Sequence, residues 1–474
     1  MPDILRDLES IVGAAHVLRG AADTEPFVAD WRGRYRGAAL CVVRPAGTAE
    51  VAAIVRLCAE RRVPLVPQGG NTGVCGAAIP DASGGAVVLS LARMNRIRGL
   101  DAHDDAITVD AGCTLAQVQR AAGDAGRLFP MSLGSEGTCQ IGGNIATNAG
   151  GTAVLRYGTM RELVLGLEVV LPNGEVLDGL RPLRKDNTGY ALKHLFIGAE
   201  GTLGVITGAV LKLFPNPKSS ATALLALPAL DNALEVFARL RADLGDRVTT
   251  AEILSEGQLA GVLAHVPDTV RPLETRTPWY LLVEVTDTLP DTDLGANLGA
   301  ALEDALAGAL EAGTVADATV ARSGAQAAAL WKLRHSVSEA NRKSGVVIGH
   351  DTAVPISRIP EFVARATAAV EALRPDARVV AVGHIGDGNV HLVVILPESL
   401  RASGEPLEPI AHAVNGVVHD LAVSLGGTIS AEHGIGQSIR AQLAAFKGPV
   451  EMELMRGIKR LFDPHGIMNP GKVL

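Results

Sequence analysis

Aromatic residues are scarce in this 474-residue chain: three Trp, four Tyr and eight Phe, or 3%. The core must therefore be built from Ala, Val, Leu and Ile, which the 47% apolar content supplies. Charge is also thin, at 20% with a net of -8, and no block of like-signed basic residues occurs. The phosphate-tracking surface of a nucleic-acid binder is missing, so DNA and RNA are not expected partners. No apolar run reaches the ~18 residues that span a bilayer, and the positive mean hydropathy reflects alanine. Only five cysteines are present, at 41, 58, 75, 113 and 139, without a C-x-x-C pair. That spacing excludes a ferredoxin-type iron-sulfur cluster. Asp3, Arg6, Asp7 and Glu9 interrupt any apolar leader in residues 1–9, so reduced thiols and a cytoplasmic location are expected. Disorder, collagen and coiled coil are ruled out by composition. The length suits about three domain-sized units, or two with a large insertion.

What is present alternates strand with helix. Val51, Ile54, Val55 and Cys58 fall at helical spacing and feed an apolar strand over 63–66. A second strand, 107–110, runs into Thr114-x-x-Gln117, a capping box that opens a helix. Residues 163–171 and 176–177 flank Asn173-Gly174 and read as a hairpin, and 205–214 as another strand. An α+β unit is expected to close near Pro215. From 216 to 330 the pattern is helical, with one strong strand over 279–285.

Two stretches are too rich in glycine for helix or strand: 68–76 and 132–151. Successive N–H groups in such turns converge on anions. Neither G-x-G-x-x-G nor the Walker pattern is matched, and a tight turn without a ligand is the alternative.

Further along, apolar β-rich runs at 379–385 and 390–395 flank Gly386-Asp387-Gly388-Asn389. A two-residue turn at Asp387-Gly388 would set His384 directly opposite His391 on one face, with Cβ atoms ~5 Å apart. Glu432, beside His433 and ahead of Gly434, offers a carboxylate as third ligand, and two His plus one carboxylate leave a catalytic position open. A hydrogen-bonded core pair of histidines with Glu432 on the surface is the alternative. Arg334 and Ser338 lie one helical turn apart and could grip a carboxylate, or form an exposed helix face.

The segments Pro67-Gln68-Gly69-Gly70-Asn71-Thr72-Gly73, Leu133-Gly134-Ser135-x-x-Thr138-Cys139-x-Ile141-Gly142-Gly143-Asn144 and Gly198-Ala199-Glu200-Gly201-Thr202-Leu203-Gly204-Val205-Ile206-Thr207 resemble the FAD loops of flavoproteins of the vanillyl-alcohol oxidase and p-cresol methylhydroxylase type. The resemblance runs from about Arg44 to the C-terminus and is closest to the D-lactate and D-2-hydroxyglutarate dehydrogenase branch. It implies an α+β chain with a two-subdomain FAD-binding domain over 1–215, split near 100. A substrate or cap domain with an antiparallel sheet would cover 216–430, and 431–474 would return to the FAD domain.

The same resemblance implies FAD held by Pro67, Gly69, Gly70, Asn71, Thr72, Gly73, Leu133, Ser135, Thr138, Gly142, Gly143, Asn144, Ile206 and Asn469. Noncovalent FAD is expected because Asn71 stands where covalent members place a His. His384, His391 and Glu432 match the branch's metal ligands, with zinc the expected ion, and His433 its catalytic base. Arg334 and Ser338 match substrate-binding positions. Two departures stand out: Gly349 replaces a lysine of 2-hydroxyglutarate-type members, and Val393 an asparagine. Both weaken the case for a dicarboxylate, with Arg342 or Lys343 as candidate substitutes. The implied function is oxidation of a D-2-hydroxy acid, with electrons leaving to an external acceptor: an electron-transfer flavoprotein, a quinone or a cytochrome. A homodimer is one assembly this allows. The rival readings are a noncatalytic FAD-binding subunit and a metal-independent flavin oxidase.

Overall fold

The computed structural model describes residues 2–291 and 297–474 as two compact units. The first comprises Met1–Gly151, Tyr157–Asn216 and Glu432–Leu474; the second comprises Thr152–Arg156 and Pro217–Ala431.

Two larger sheets and a two-stranded ribbon, Arg127–Leu128 with Phe214–Pro215, build the first unit. β1 (Val17–Leu18), β2 (Cys41–Val43), β3 (Leu65–Gln68) and β4 (Val87–Ser90) form a four-stranded sheet in the order β1-β2-β4-β3, with β4 parallel to both its neighbours. The connecting helix Thr48–Arg61 buries Val51, Ile54, Val55 and Cys58, the face read from the sequence. β3 lies at the sheet edge, and there the Leu65 N–H donates to Ile467 O (2.8 Å) and the Asn469 N–H to Leu65 O (2.8 Å), so the C-terminal segment covers the edge. β5 (Ile97–Asp101), β6 (Ala106–Asp110), β7 (Val164–Val170), β8 (Val176–Asp178) and β9 (Val205–Lys212) form the second, antiparallel sheet in the order β5-β6-β9-β7-β8. The β7–β8 turn places Gly174 at φ +80, as an Asn-Gly hairpin requires. Thr114 and Gln117 form the expected capping box at the start of Leu115–Asp124.

A buried ion network ties this second sheet together. Arg98 donates to Asp110 (2.6 Å) and to Glu168 (2.8 Å), Arg96 to Asp110 (2.9 Å), and Thr48 and Thr207 to Glu168. Asp110 is fully buried. Burial, the largest influence, pushes both carboxyls up, and the donated hydrogen bonds outweigh it and hold both below their ordinary values.

The second unit is one eight-stranded antiparallel sheet. Its strands are β10 (Ser219–Leu227), β11 (Val248–Ser255), β12 (Trp279–Asp287), β13 (Asp317–Val320), β14 (Val346–Gly349), β15 (Thr352–Ala353), β16 (Arg378–His384) and β17 (Asn389–Leu396). They run in the order β13-β10-β12-β11-β16-β17-β14, with β15 also on β17. The expectation of a helical stretch with one strand over 216–330 is corrected: β10, β11 and β13 join β12. Ser219–Leu227 is rich in Ala and Leu, good helix formers, but full-length pairing with β12 decides its state.

Alternation along these strands divides the sheet into two faces. One packs Ala223, Leu225, Ile253, Leu281, Val283 and Leu392 under the helices Leu230–Leu244, Leu298–Glu311, Ile359–Leu373 and Leu407–Ser424. The other packs Leu224, Leu254, Tyr280, Leu282 and Val382 under Glu256–His265, Gly324–His335 and Val337–Ser344. Glu252, His384 and His391 fall on this second face, in step with Leu254 and Val382.

Candidate active site

In the first unit the glycine loops close on one another. A Cβ at Gly70 would sit 2.0 Å from Thr138 O, so only glycine lets the first loop touch the second. At Gly69 a Cβ would meet Gln140 Cβ at 3.4 Å and Gly143 N at 3.5 Å. Gly142 donates to Ala111 O (2.7 Å) and Asn144 is buried beside Cys139, which fixes the second loop to the sheet. Asn71 has φ +53, and its amide donates to Ala29 O (2.9 Å) and Pro26 O (3.2 Å), while Thr72 O accepts from Trp31. Pro67 Cγ lies 3.3 Å from where a Gly201 Cβ would go, Ser135 O accepts from Thr138 and Cys139, Leu133 packs on the core, and Ile206 is buried in β9.

These loops fit a dinucleotide with a pyrophosphate. Among the described residues no protein acceptor takes the N–H of residues 69–74. Around Gly73, Gly134, Gly137 and Gly143 none of the described residues lies within 4 Å of where a Cβ would go. Such backbone is a nest for an anion lying against the main chain. The Asn469 amide donates to Glu200 O (2.7 Å) and Ala77 O (3.0 Å), and its buried Oδ1 accepts nothing from the described residues.

One residue of the third motif does more than the sequence suggested. Glu200, at φ +51 and buried, accepts from the N–H groups of Ile435 and Gly436, both at 2.8 Å. It thereby fixes the turn that follows Glu432 and His433. Burial pushes its carboxyl up, against the pull of those two donors. His433 Nε2 lies 4.0 Å from Glu432 Oε1. Only the Glu200-Gly201 context within a glycine-rich motif could have flagged this role.

In the second unit the histidine hairpin differs from expectation. Four residues, 385–388, bridge the strands, so His384 faces Asn389 and His391 faces Val382. The two-residue turn does not form because Asp387 and Gly388 both donate back to His384 O, Asp387 also caps the Asn389 N–H, and Gly388 takes φ +89 against Val354 O. The pairing moves by two residues, an even step that leaves both imidazoles on one face. They sit diagonally, ring centroids 5.7 Å apart and planes at 80°.

Glu252, on β11, pairs directly with His384 across the sheet. Fully buried, it meets His384 Nδ1 at 2.5 Å and accepts from Arg334 Nε at 2.6 Å. Burial pushes this carboxyl up most strongly, yet Arg334 and then His384 bring it down to about 2. Asp351 lies 3.8 Å from His391 Nδ1 and accepts from Asn389 (3.0 Å) and from the Ala431 N–H (3.1 Å). Chain continuity puts Glu432 directly after Ala431. Neither Glu252 nor Asp351 was assigned from the sequence: Glu252 is identified by strand register and Asp351 by its contacts with Asn389 and Ala431, not by a motif.

Arg334 and Ser338 do not share one helix. The first helix ends at His335, Ser336 leaves it at φ -88 and ψ 1, and Ser338 stands exposed on Val337–Ser344. Lys343 is held by Glu339 (2.6 Å) and His265 O (3.1 Å). Gly349 and Val393, the two departures, are direct cross-strand partners, and none of the described residues lies within 4 Å of where a Gly349 Cβ would go.

Comparison with known proteins fits this division. Residues 216–473 match the family described as FAD linked oxidases, C-terminal domain, and residues 39–179 match an FAD binding domain. The chain belongs to the FAD-linked oxidases. Relatives of this chain include D-2-hydroxyglutarate dehydrogenase of Xanthomonas citri pv. viticola, 39% identical over 100% of this chain and 97% of that protein. The mitochondrial D-2-hydroxyglutarate dehydrogenase of Bos taurus is 38% identical over 100% and 83%. Among solved structures, substrate-bound p-cresol methylhydroxylase superposes with a TM-score of 0.77 at 16% identity, covering 100% of this chain and 96% of that one. The chain thus has the p-cresol methylhydroxylase fold and is an FAD-dependent oxidoreductase.

Proposed function

We propose that this chain is a metal-dependent flavoprotein dehydrogenase that oxidises D-2-hydroxy acids to 2-oxo acids. The observation that carries the reading is the convergence of His384, His391 and Glu252 on one sheet face with Arg334 from the helix packed on it, the two imidazole centroids lying 5.7 Å apart. His384, His391 and Glu432 would hold a divalent cation, zinc in this reading, which would act as a Lewis acid toward a hydroxy-carboxylate. Bound FAD supplies the hydride acceptor.

The protein's own groups do the rest. Arg334, its Nε held by Glu252, turns its remaining guanidinium N–H groups to a substrate carboxylate. Ser338 adds a hydroxyl on the following helix. His433 takes the proton of the 2-hydroxyl as general base. Asn71 spends its amide on the carbonyls of Pro26 and Ala29, which suits noncovalent FAD. Electrons then pass to an external acceptor: an electron-transfer flavoprotein, a quinone or a cytochrome. A homodimer remains compatible with this reading, and five buried thiols suit a reducing compartment, here the cytoplasm.

The relatives' names specify D-2-hydroxyglutarate. The Gly349–Val393 pair offers no polar group to a distal carboxylate, so D-lactate or a longer apolar D-2-hydroxy acid should be turned over at least comparably.

The purified yellow protein, given a panel of D- and L-2-hydroxy acids, should bleach with the D forms only, and acid should release all the flavin. Chelation should stop turnover with FAD retained, and His433→Ala should lower kcat by ~10² to 10⁴ with metal content kept. Full activity in metal-free protein, or bleaching by L-acids alone, would refute the proposal.

A further inference from the structure

The metal reading above leaves open what sets the ligating nitrogen of His384. A neutral imidazole carries one N–H and one lone pair, and which nitrogen holds which is set by the partner of the other. Glu252 stands directly across the sheet from His384, with Oε1 2.5 Å from Nδ1. Its second oxygen accepts from Arg334 Nε at 2.6 Å. The carboxylate is fully buried, and Arg334 keeps only 11% of its side-chain surface. An ionised carboxylate can only accept, so the Nδ1 proton of His384 points at Glu252 and the lone pair lies on Nε2. An arginine Nε–H can only donate, so Arg334 claims the other oxygen.

We propose that Glu252 is a positioning residue that fixes two functional side chains at once: it holds His384 in the tautomer that presents Nε2 to the metal, and it sets the guanidinium of Arg334 for the substrate. This rests on the metal reading. The arrangement differs from a generic buried ion pair because its two acceptors serve donors of unequal freedom. Arg334 cannot exchange its donor for an acceptor, whereas His384 can.

That asymmetry makes Glu252→Gln informative. The amide keeps the shape, but its one oxygen must face Arg334, so its NH₂ faces His384 Nδ1. The ring proton then moves to Nε2, where it blocks ligation. In the FAD-loaded protein, zinc affinity measured against a chromophoric chelator should fall by ~10- to 100-fold, the usual cost of removing a ligand's hydrogen-bond partner. Flavin content should be unchanged. In Glu252→Gln/Arg334→Met the amide is released to turn its oxygen back to His384, so zinc affinity should recover to within roughly threefold of wild type. A merely structural role would instead make the double variant worse.

¹⁵N NMR of the imidazoles in metal-free holoenzyme supplies a readout independent of metal. The His384 signal, identified by its loss in His384→Gln, should show Nδ1–H in the parent, Nε2–H in Glu252→Gln and Nδ1–H again in the double variant. An unchanged tautomer in Glu252→Gln, or a double variant no better than the single, overturns the proposal. A parent that binds no zinc but shows these tautomer changes overturns the metal reading and leaves the role of Glu252 standing.

Discussion

The two units prepare their sites by opposite means. The first uses backbone: glycines packed too closely for a Cβ, left-handed residues such as Asn71 and Glu200, and a run of N–H groups without protein acceptors among the described residues. The second uses side chains on a rigid sheet, where Glu252, His384 and Arg334 are hydrogen-bonded and His391 sits diagonally across the hairpin. A backbone site tolerates almost no change in its glycines, whereas a side-chain site tolerates change of shape but not of donor and acceptor roles.

The comparison breaks most sharply at Gly70. Gly70→Ala would bring a Cβ within 2.0 Å of Thr138 O, so the variant should purify colourless. FAD retained at wild-type occupancy would contradict the contact. Next comes Arg98→Met, which strands Asp110 and Glu168. Arg98 is itself partly exposed, so a loss of about 3 kcal/mol, the lower end for a broken buried pair, is expected in urea unfolding followed by flavin release. Both carboxyls are held low, so their contribution is present above their unfolded values and is lost as pH falls through the lowered ones. Without Arg98, acid-induced flavin release should start at a higher pH.

The second unit should respond to acid earlier. His350 is buried and held neutral, its pKa pushed down to about 4. A lowered His value contributes stability that is present above pH 6.5 and lost as pH falls toward 4. The second unit's stability should slope by up to one proton, ~1.4 kcal/mol per pH unit, across that window. His350→Phe should flatten the slope, and an identical slope would remove His350 as its cause. The smallest effect is expected at Gly349→Lys, where open space lies beside Val393. One added charged hydrogen bond should move kcat/KM toward a dicarboxylate by roughly tenfold. Strong native selectivity for D-2-hydroxyglutarate would show that another group already fills this role.

The same contrast governs what the sequence reveals. Glycine at fixed spacing is its own signal, so the loops at 67–73 and 133–144 were readable, as were the Thr114 capping box and the Asn173-Gly174 hairpin. The sheet face was only half readable. His384 and His391 could be placed on one side because an even register shift preserves the face, but their exact pairing depended on a loop of four residues rather than two. Glu252 was invisible because it lies in Val248–Ser255, which pairs by tertiary contact and not by a pattern of its own. Ser338 was misplaced for a local reason: nothing in residues 333–338 announces that the helix stops at Ser336.

The C-terminal cover on β3 has a consequence for biosynthesis. Leu65 is paired by Ile467 and Asn469, so the edge of a sheet whose strands lie within residues 17–90 is completed by residues that are synthesised after the whole of the second unit. The second unit's sheet, by contrast, is contained within Pro217–Ala431 and can close while that tail is still in the exit tunnel. FAD capture is therefore expected only after residues 467–469 have reached β3. A chain halted after Phe462 should yield a protease-resistant second unit and no bound FAD, and flavin on such a stalled chain would reverse the order.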